Sequence, residues 1–278
     1  LFKKAHKLLI IGSHFERALD YERAIFNLSR ALLIYQRLYA YPKVIETIKD
    51  MLYILDSEDY NERSLLDGGA EKQRRSSVNL RRQLGEVYLK IGRFNKAYPL
   101  LEGALRLCDI DPSSLDVVSK SEAALKLEKL LKTWNAIPQE TQLPQKNSSF
   151  YLLFESGQTF LSLSQHYLAT GTPIVGISPL LKALELSLIP KGPSSLLVSS
   201  FGVASHYLYF YLLNKTLAYK CIDAAKSVSK KIYDPPSLAF VNRLSCEIKI
   251  CNADLDSAIT EAKRASDISG TLGDTPDY

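Results

Sequence analysis

Four histidines and four cysteines are the side chains best suited to hold a metal or act as nucleophiles, and their spacing suits neither task. His6, His14, His166 and His206 are scattered, and no HExxH occurs. His6 and His14 are expected to face each other across a first turn. Two imidazoles without carboxylates make a poor zinc set, so partly buried structural histidines are the expectation. Cys108, Cys221, Cys246 and Cys251 are irregularly spaced, and no CxxC is formed. They read as reduced, buried thiols of a cytoplasmic protein. Neither GxxxxGK[ST] nor GxGxxG is present to cradle phosphate, and no GxSxG elbow presents a serine. Carboxylate pairs such as Asp254/Asp256 and Glu58/Asp59 lie in turn-like sequence, where solvated caps are expected. No catalytic, cofactor or metal residue is named, and enzyme activity in a parent protein is left open.

One segment could carry a different chemistry. Lys72, Arg74, Arg75, Arg81 and Arg82 put five positive charges in eleven residues. Nucleic acid is not the expected partner, because aromatic side chains are not interleaved with the charge. Arg74-Arg75-Ser76-Ser77 matches the R-R-x-S pattern of basophilic kinases, which makes Ser77 a possible phosphosite at the start of a helix. Otherwise the run reads as a solvated loop.

The elements that must position these groups are helical. Leu84, Val87, Tyr88 and Ile91 fall at i, i+3, i+4, i+7 and make one apolar face. Gly92 permits a left-handed turn, and a second helix follows with Ala97, Leu100, Leu101, Ala104 and Leu105 on one side. Gly85 follows Leu84 on the first helix, and the small residues Ala97 and Ala104 let the pair approach closely. Tyr167, Gly171, Gly176, Leu180 and Ala183 repeat these offsets without a gap. Tyr209, Ala218, Ile222 and Ala225 match next, with Leu213 in place of the turn glycine. Ala258, Ala262 and Ala265 match again after an Asn252-Ala253-Asp254 turn. This is the tetratricopeptide pattern, so the expected fold is all-α, an α-solenoid of stacked helical hairpins. At the N-terminus a looser hairpin is expected: residues 3–11, a turn at Gly12-Ser13, then a helix from Phe15 towards Tyr39. Pro42 opens another that ends near Leu55.

Domain boundaries follow: N-terminal hairpins over 1–56, a polar loop over 57–77 containing Gly68-Gly69, a hairpin plus an extra helix over 78–136, a linker over 137–149 with Pro138 and Pro144, and further hairpins over 150–278. The extra helix, about Ser114–Asn135, has an apolar stripe of Val117, Val118, Ala124, Leu127, Leu130, Leu131 and Trp134.

The chain has 278 residues, 46% of them hydrophobic and 23% charged, with 13 Gly and 12 Pro. That excludes collagen, low-complexity sequence and a disulfide-stapled miniprotein. Leu1 and the single Met51 read as a piece of a longer protein, with no signal peptide. Charge is uneven: residues 147–214 carry only Glu155, Lys182, Glu185 and Lys191. This charge-poor centre is either enclosed between helices or a contact face. Its uncharged stretch Gly192–Asn214 is interrupted by Ser199, Ser200, Gly202, Ser205 and His206, so a buried helix is expected rather than a membrane span. The sequons at Asn27, Asn147 and Asn214 are read as chance.

The order of features resembles the helical-repeat region of signalling STAND ATPases of the soluble adenylyl cyclase type. The resemblance is carried by Gly12–Tyr41 (GSHFERALDYERAIFNLSRALLIYQRLYAY), Leu84–Leu107 (LGEVYLKIGRFNKAYPLLEGALRL), the lone helix ending Leu130-Leu131-Lys132-Thr133-Trp134, and Ala258–Asp274 (AITEAKRASDISGTLGD). It implies a non-catalytic, cytoplasmic scaffold or regulatory region in cyclic AMP signalling, with cyclase and ATPase chemistry N-terminal to it. The implied partners are proteins or other domains of the same chain. A free-standing peptide-binding adaptor is the alternative.

Overall fold

The computed structural model of the protein describes residues 1–57, 60, 69–137 and 148–272. Among these residues the fold is all-helical. The order is α1 (Phe2–Arg17), α2 (Tyr21–Arg37), α3 (Tyr41–Asp56), α4 (Ala70–Lys90), α5 (Phe94–Arg106), a 3₁₀ turn (Pro112–Ser114), α6 (Lys120–Asn135), α7 (Ser148–Ala169), α8 (Pro173–Leu188), α9 (Ser195–Phe210), α10 (Lys215–Ile232), α11 (Pro235–Cys251) and α12 (Leu255–Leu272).

Starts and stops follow local chemistry. Asp20, Ser119, Ser194 and Asn214 each accept a backbone N–H three residues on, satisfying donors that a first helical turn leaves orphaned. Pro42, Pro173 and Pro235 sit where a missing N–H costs nothing. The corners between helices carry left-handed residues: Leu19, Gly92, Gly171, Leu213 and Ala253 within hairpins, and Tyr39, Asp109, Lys191 and Tyr233 after their second helices. Only two of the nine are glycine. Each of the others tolerates a conformation that costs an L-residue roughly 1–2 kcal/mol.

The chain divides into two compact units, Leu1–Ile110 and Asp111–Tyr278. In the first, α1 pairs with α2 and α4 with α5, while α3 packs between α2 and α4. Its core gathers Leu28, Tyr35, Ile48, Ile54, Leu84 and Tyr88. In the second, the hairpins α7–α8, α9–α10 and α11–α12 follow one another, and their first helices also touch, α7 against α9 and α9 against α11. The extra helix α6 belongs to this unit and lies along α8 and α10, the second helices of two hairpins.

Several expectations change. The first turn is not at Gly12-Ser13: α1 runs through both and turns at Ala18–Asp20. Gly12 is a packing residue, as a Cβ there would lie 2.9 Å from Leu28 Cγ. The expected 57–77 loop does not reach Ser77, because a helix, α4, begins at Ala70, where good helix formers follow Gly69. Residues 58–59 and 61–68 lie outside the described residues, as do 138–147 of the linker and the sequon Asn147. The extra helix starts at Lys120, capped by Ser119, so Val117 precedes it and is exposed; its buried stripe is Ala123, Leu127, Leu131 and Trp134.

Candidate functional site

The repeat-packing residues define how the hairpins close. Leu84 and Tyr88 are buried on α4, and Ala97 and Ala104 are buried on α5. A Cβ on Gly85 would meet Leu101 Cγ at 3.0 Å, its Cδ2 at 2.9 Å and the Ala97 carbonyl at 3.4 Å. Gly12 has the same surroundings, with Leu28 Cγ at 2.9 Å, its Cδ2 at 3.0 Å and the Ala24 carbonyl at 3.4 Å. Thus Gly12, Leu19, Ala24, Leu28 and Ala31 stand where Gly85, Gly92, Ala97, Leu101 and Ala104 stand. The signal was legible in those offsets; Leu at the corner in place of Gly concealed it.

In the second unit Ala183, Ala218, Ala225 and Ala258 are buried at their crossings, while Tyr167 and Ala265 are half-buried and Gly171 is an open left-handed corner. Ala262, expected on the packed side of α12, is exposed; α12 packs mainly on α11. Gly176 makes the tightest crossing. A Cβ there would fall 2.0 Å from Tyr207 Oη and 3.0 Å from the Ser164 carbonyl. The Tyr207 hydroxyl, reaching in from α9, donates to that carbonyl at 2.9 Å and accepts from Ser164 Oγ at 3.0 Å. Burial pushes this phenol well above its ordinary pKa, so it remains a neutral donor.

This crossing lies inside the charge-poor centre. Twelve of the sixteen residues of α9 are buried, and α9 packs on α7, α8, α10 and α11. Helix α9 is therefore enclosed, while Tyr151, Ile174, Val175, Ile189 and Leu213 of the same region are exposed. No helix among the described residues is long and apolar enough to cross a membrane.

The basic run is absorbed into intramolecular contacts. Arg74 donates to the Leu107 carbonyl and the Asp109 carboxylate, tying α4 to the C-terminal end of α5. Arg81 pairs with Asp56 at 2.8 Å, joining α4 to α3, and Arg82 pairs with Glu86 at 2.6 Å. Lys72 reaches Glu22 at 4.0 Å. Ser77 lies well inside α4, only 5% exposed. It is not at a helix start, so phosphorylation there would require α4 to unwind.

The groups singled out for chemistry do not come together. His6 and His14 are exposed on one helix, not facing across a turn. His206 packs on Phe210 with its Nδ1 3.7 Å from Glu247, and burial lowers the pKa of both His166 and His206. All four cysteines are free thiols, and burial pushes Cys221 up to about 12. Among the described residues no group of three or more His, Cys, Asp or Glu is placed to hold a metal. One buried charge cluster escaped the sequence reading. Glu261 of α12, 3% exposed, meets Lys226 of α10 at 2.6 Å and Lys249 of α11 at 3.2 Å. Burial works to raise its pKa, but the two ammonium groups outweigh it and hold the carboxyl below the usual value.

Two clefts among the described residues offer places for a partner. In the first unit, Gln36, Tyr39, Tyr41, Gln83, Glu86 and Lys90 line a cleft of ≈ 130 Å³. In the second, a cleft of ≈ 430 Å³ separates α6 from α10. Leu131, Trp134 and Ala224 are its buried floor, and Asn135, Lys220, Asp223, Ser227 and Lys231 are on its rim. Lys231 Nζ stands 5.5 Å over the Trp134 ring, a cation–π arrangement that fixes both side chains. No family model, curated protein or solved structure matches the chain.

Proposed function

We propose that this chain is a non-catalytic interaction and regulatory module, a tetratricopeptide-like α-solenoid, within a cyclase-like signalling ATPase of cyclic AMP signalling. The observation that carries the module reading is the repeated crossing. Gly12 against Leu28 and Gly85 against Leu101 have the same three neighbours at matching distances, each followed by a left-handed corner. Such hairpins bury their apolar faces on neighbours and leave long solvent-facing surfaces for partners. The parent and its cytoplasmic location rest on the sequence resemblance, and the free thiols fit a reducing compartment.

The test is to sequence the transcript upstream of Leu1 and co-express the encoded region with this chain as separate polypeptides. Cyclase and P-loop coding upstream, with co-purification of the two folded pieces, is the expected result. A short upstream region, or two folded pieces that do not associate, overturns the intramolecular reading. The clefts favour a second reading, a free-standing adaptor for peptides.

A further inference from the structure

We propose that the cleft between α6 and α10 docks a short acidic segment of a partner protein, bound extended, with an apolar side chain on its floor and a carboxylate at each end. This rests on the interaction-module reading only in seeking a protein partner.

The geometry starts with α10. Lys220, Ala224, Ser227 and Lys231 fall at i, i+4, i+7 and i+11, so they share one helix face. At about 1.5 Å of rise per residue the two lysines are about 16 Å apart along the axis. An extended chain advances about 3.3 Å per residue, so about five residues separate carboxylates that meet both lysines. The ≈ 430 Å³ of the cleft lies within the roughly 300–1,000 Å³ of ordinary ligand sites.

The lining says what enters. Trp134, Leu131 and Ala224 offer a buried apolar floor. The side chains of Asn135, Asp223 and Ser227 form no hydrogen bond or ion pair among the described residues, so they are open to the N–H and C=O groups of a guest backbone. A compact anion such as phosphate would engage one lysine, leave the other about 16 Å away, and sit against the Asp223 carboxylate. A nucleic-acid strand would bring phosphate up against the Asp223 carboxylate. An extended peptide with separated acids uses both lysines and places amides, not charge, beside Asp223.

The single tryptophan, Trp134, makes the test direct. Hexapeptides with Asp or Glu at both ends and apolar residues between are titrated against the whole chain by Trp134 fluorescence, beside a pool with Lys at both ends. The acidic pool should give saturable binding, and the Lys pool at least about tenfold weaker binding. Lys220→Glu and Lys231→Gln should each weaken the acidic pool about tenfold, while Lys129→Glu on α6 should not; far-UV circular dichroism verifies each fold. No saturable response, equal binding of the two pools, or indifference to both cleft substitutions overturns the proposal. Displacement of the acidic pool by an equal concentration of inorganic phosphate or ATP also overturns it, by showing a simple anion site. If the peptides fail while the upstream region still co-purifies, this proposal falls and the module reading stands.

Discussion

Replacing Gly176 by alanine should show how tightly the second unit is closed. The new Cβ would lie 2.0 Å from Tyr207 Oη, 3.0 Å from the Ser164 carbonyl and 3.0 Å from Tyr167 Cβ. The last two belong to backbone or to the root of a side chain, so the tyrosine must move. Tyr207 is fully buried, and withdrawing it breaks both hydrogen bonds with Ser164. Overpacking of this kind costs about 1–3 kcal/mol, and an orphaned buried hydroxyl about another 1–3 kcal/mol. Alanine in a helix returns about 0.5–1 kcal/mol. The net loss should be about 1–5 kcal/mol, read by urea unfolding followed through Trp134, which belongs to the same unit. Tyr207→Phe alone should cost about 1–2 kcal/mol. It also removes the atom that collides, so the double variant should be at least about 1 kcal/mol more stable than the sum of its parts. Additivity within about 0.5 kcal/mol, or an unchanged urea midpoint for Gly176→Ala, would refute the reasoning.

Four further outcomes are expected. Gly12→Ala and Gly85→Ala should destabilise the first unit by similar amounts, about 1–3 kcal/mol each, seen by amide hydrogen exchange in residues 1–110; unequal effects contradict the equivalence of the two crossings. Leu213→Gly should leave stability unchanged or raise it by up to about 1 kcal/mol, because the exposed corner relieves a left-handed conformation; a large loss in calorimetry would count against it. Glu261→Gln should lower stability by about 1–3 kcal/mol, leaving Lys226 and Lys249 uncompensated. The folded carboxyl titrates below its unfolded value. Its stabilisation is therefore present above about pH 4.3 and lost as pH falls through the folded pKa; Gln should flatten the acid limb of the stability–pH curve. His166 and His206 titrate lower when folded, so stability should also begin to fall as pH drops below about 6.5. His166→Gln should reduce that slope, and an unaltered slope would remove its assigned share.

Much of the helical pattern was legible because apolar spacing and small residues at crossings are local signals. Leu84, Tyr88, Ala97 and Ala104 could be placed on their faces from offsets alone, and α3 was bounded by Pro42 and Leu55 to within a residue or so. Gly12 was misread because a glycine before serine looks like a turn, and its crossing role depends on Leu28, sixteen residues on. Ser77 was misplaced at a helix start for a related reason: charge in Lys72–Arg82 suggested solvent, while Arg81 and Arg74 bind Asp56 and Asp109, far away in sequence. The cleft was illegible since α6 and α10 meet only in space, and Trp134 read simply as core. The Glu261 cluster joins three helices, and no single-helix periodicity reports it.

The Tyr207 hydroxyl between α7 and α8 has an evolutionary consequence. Its two hydrogen bonds and the bare Cα of Gly176 form one indivisible trait. Position 176 cannot drift first: a lineage that acquires a side chain there must already have lost the hydroxyl at 207. Descendants of this fold should therefore pair glycine with tyrosine, or a larger residue with phenylalanine or leucine. The mixed combination of larger residue and tyrosine should be missing, however far the exposed corners diverge.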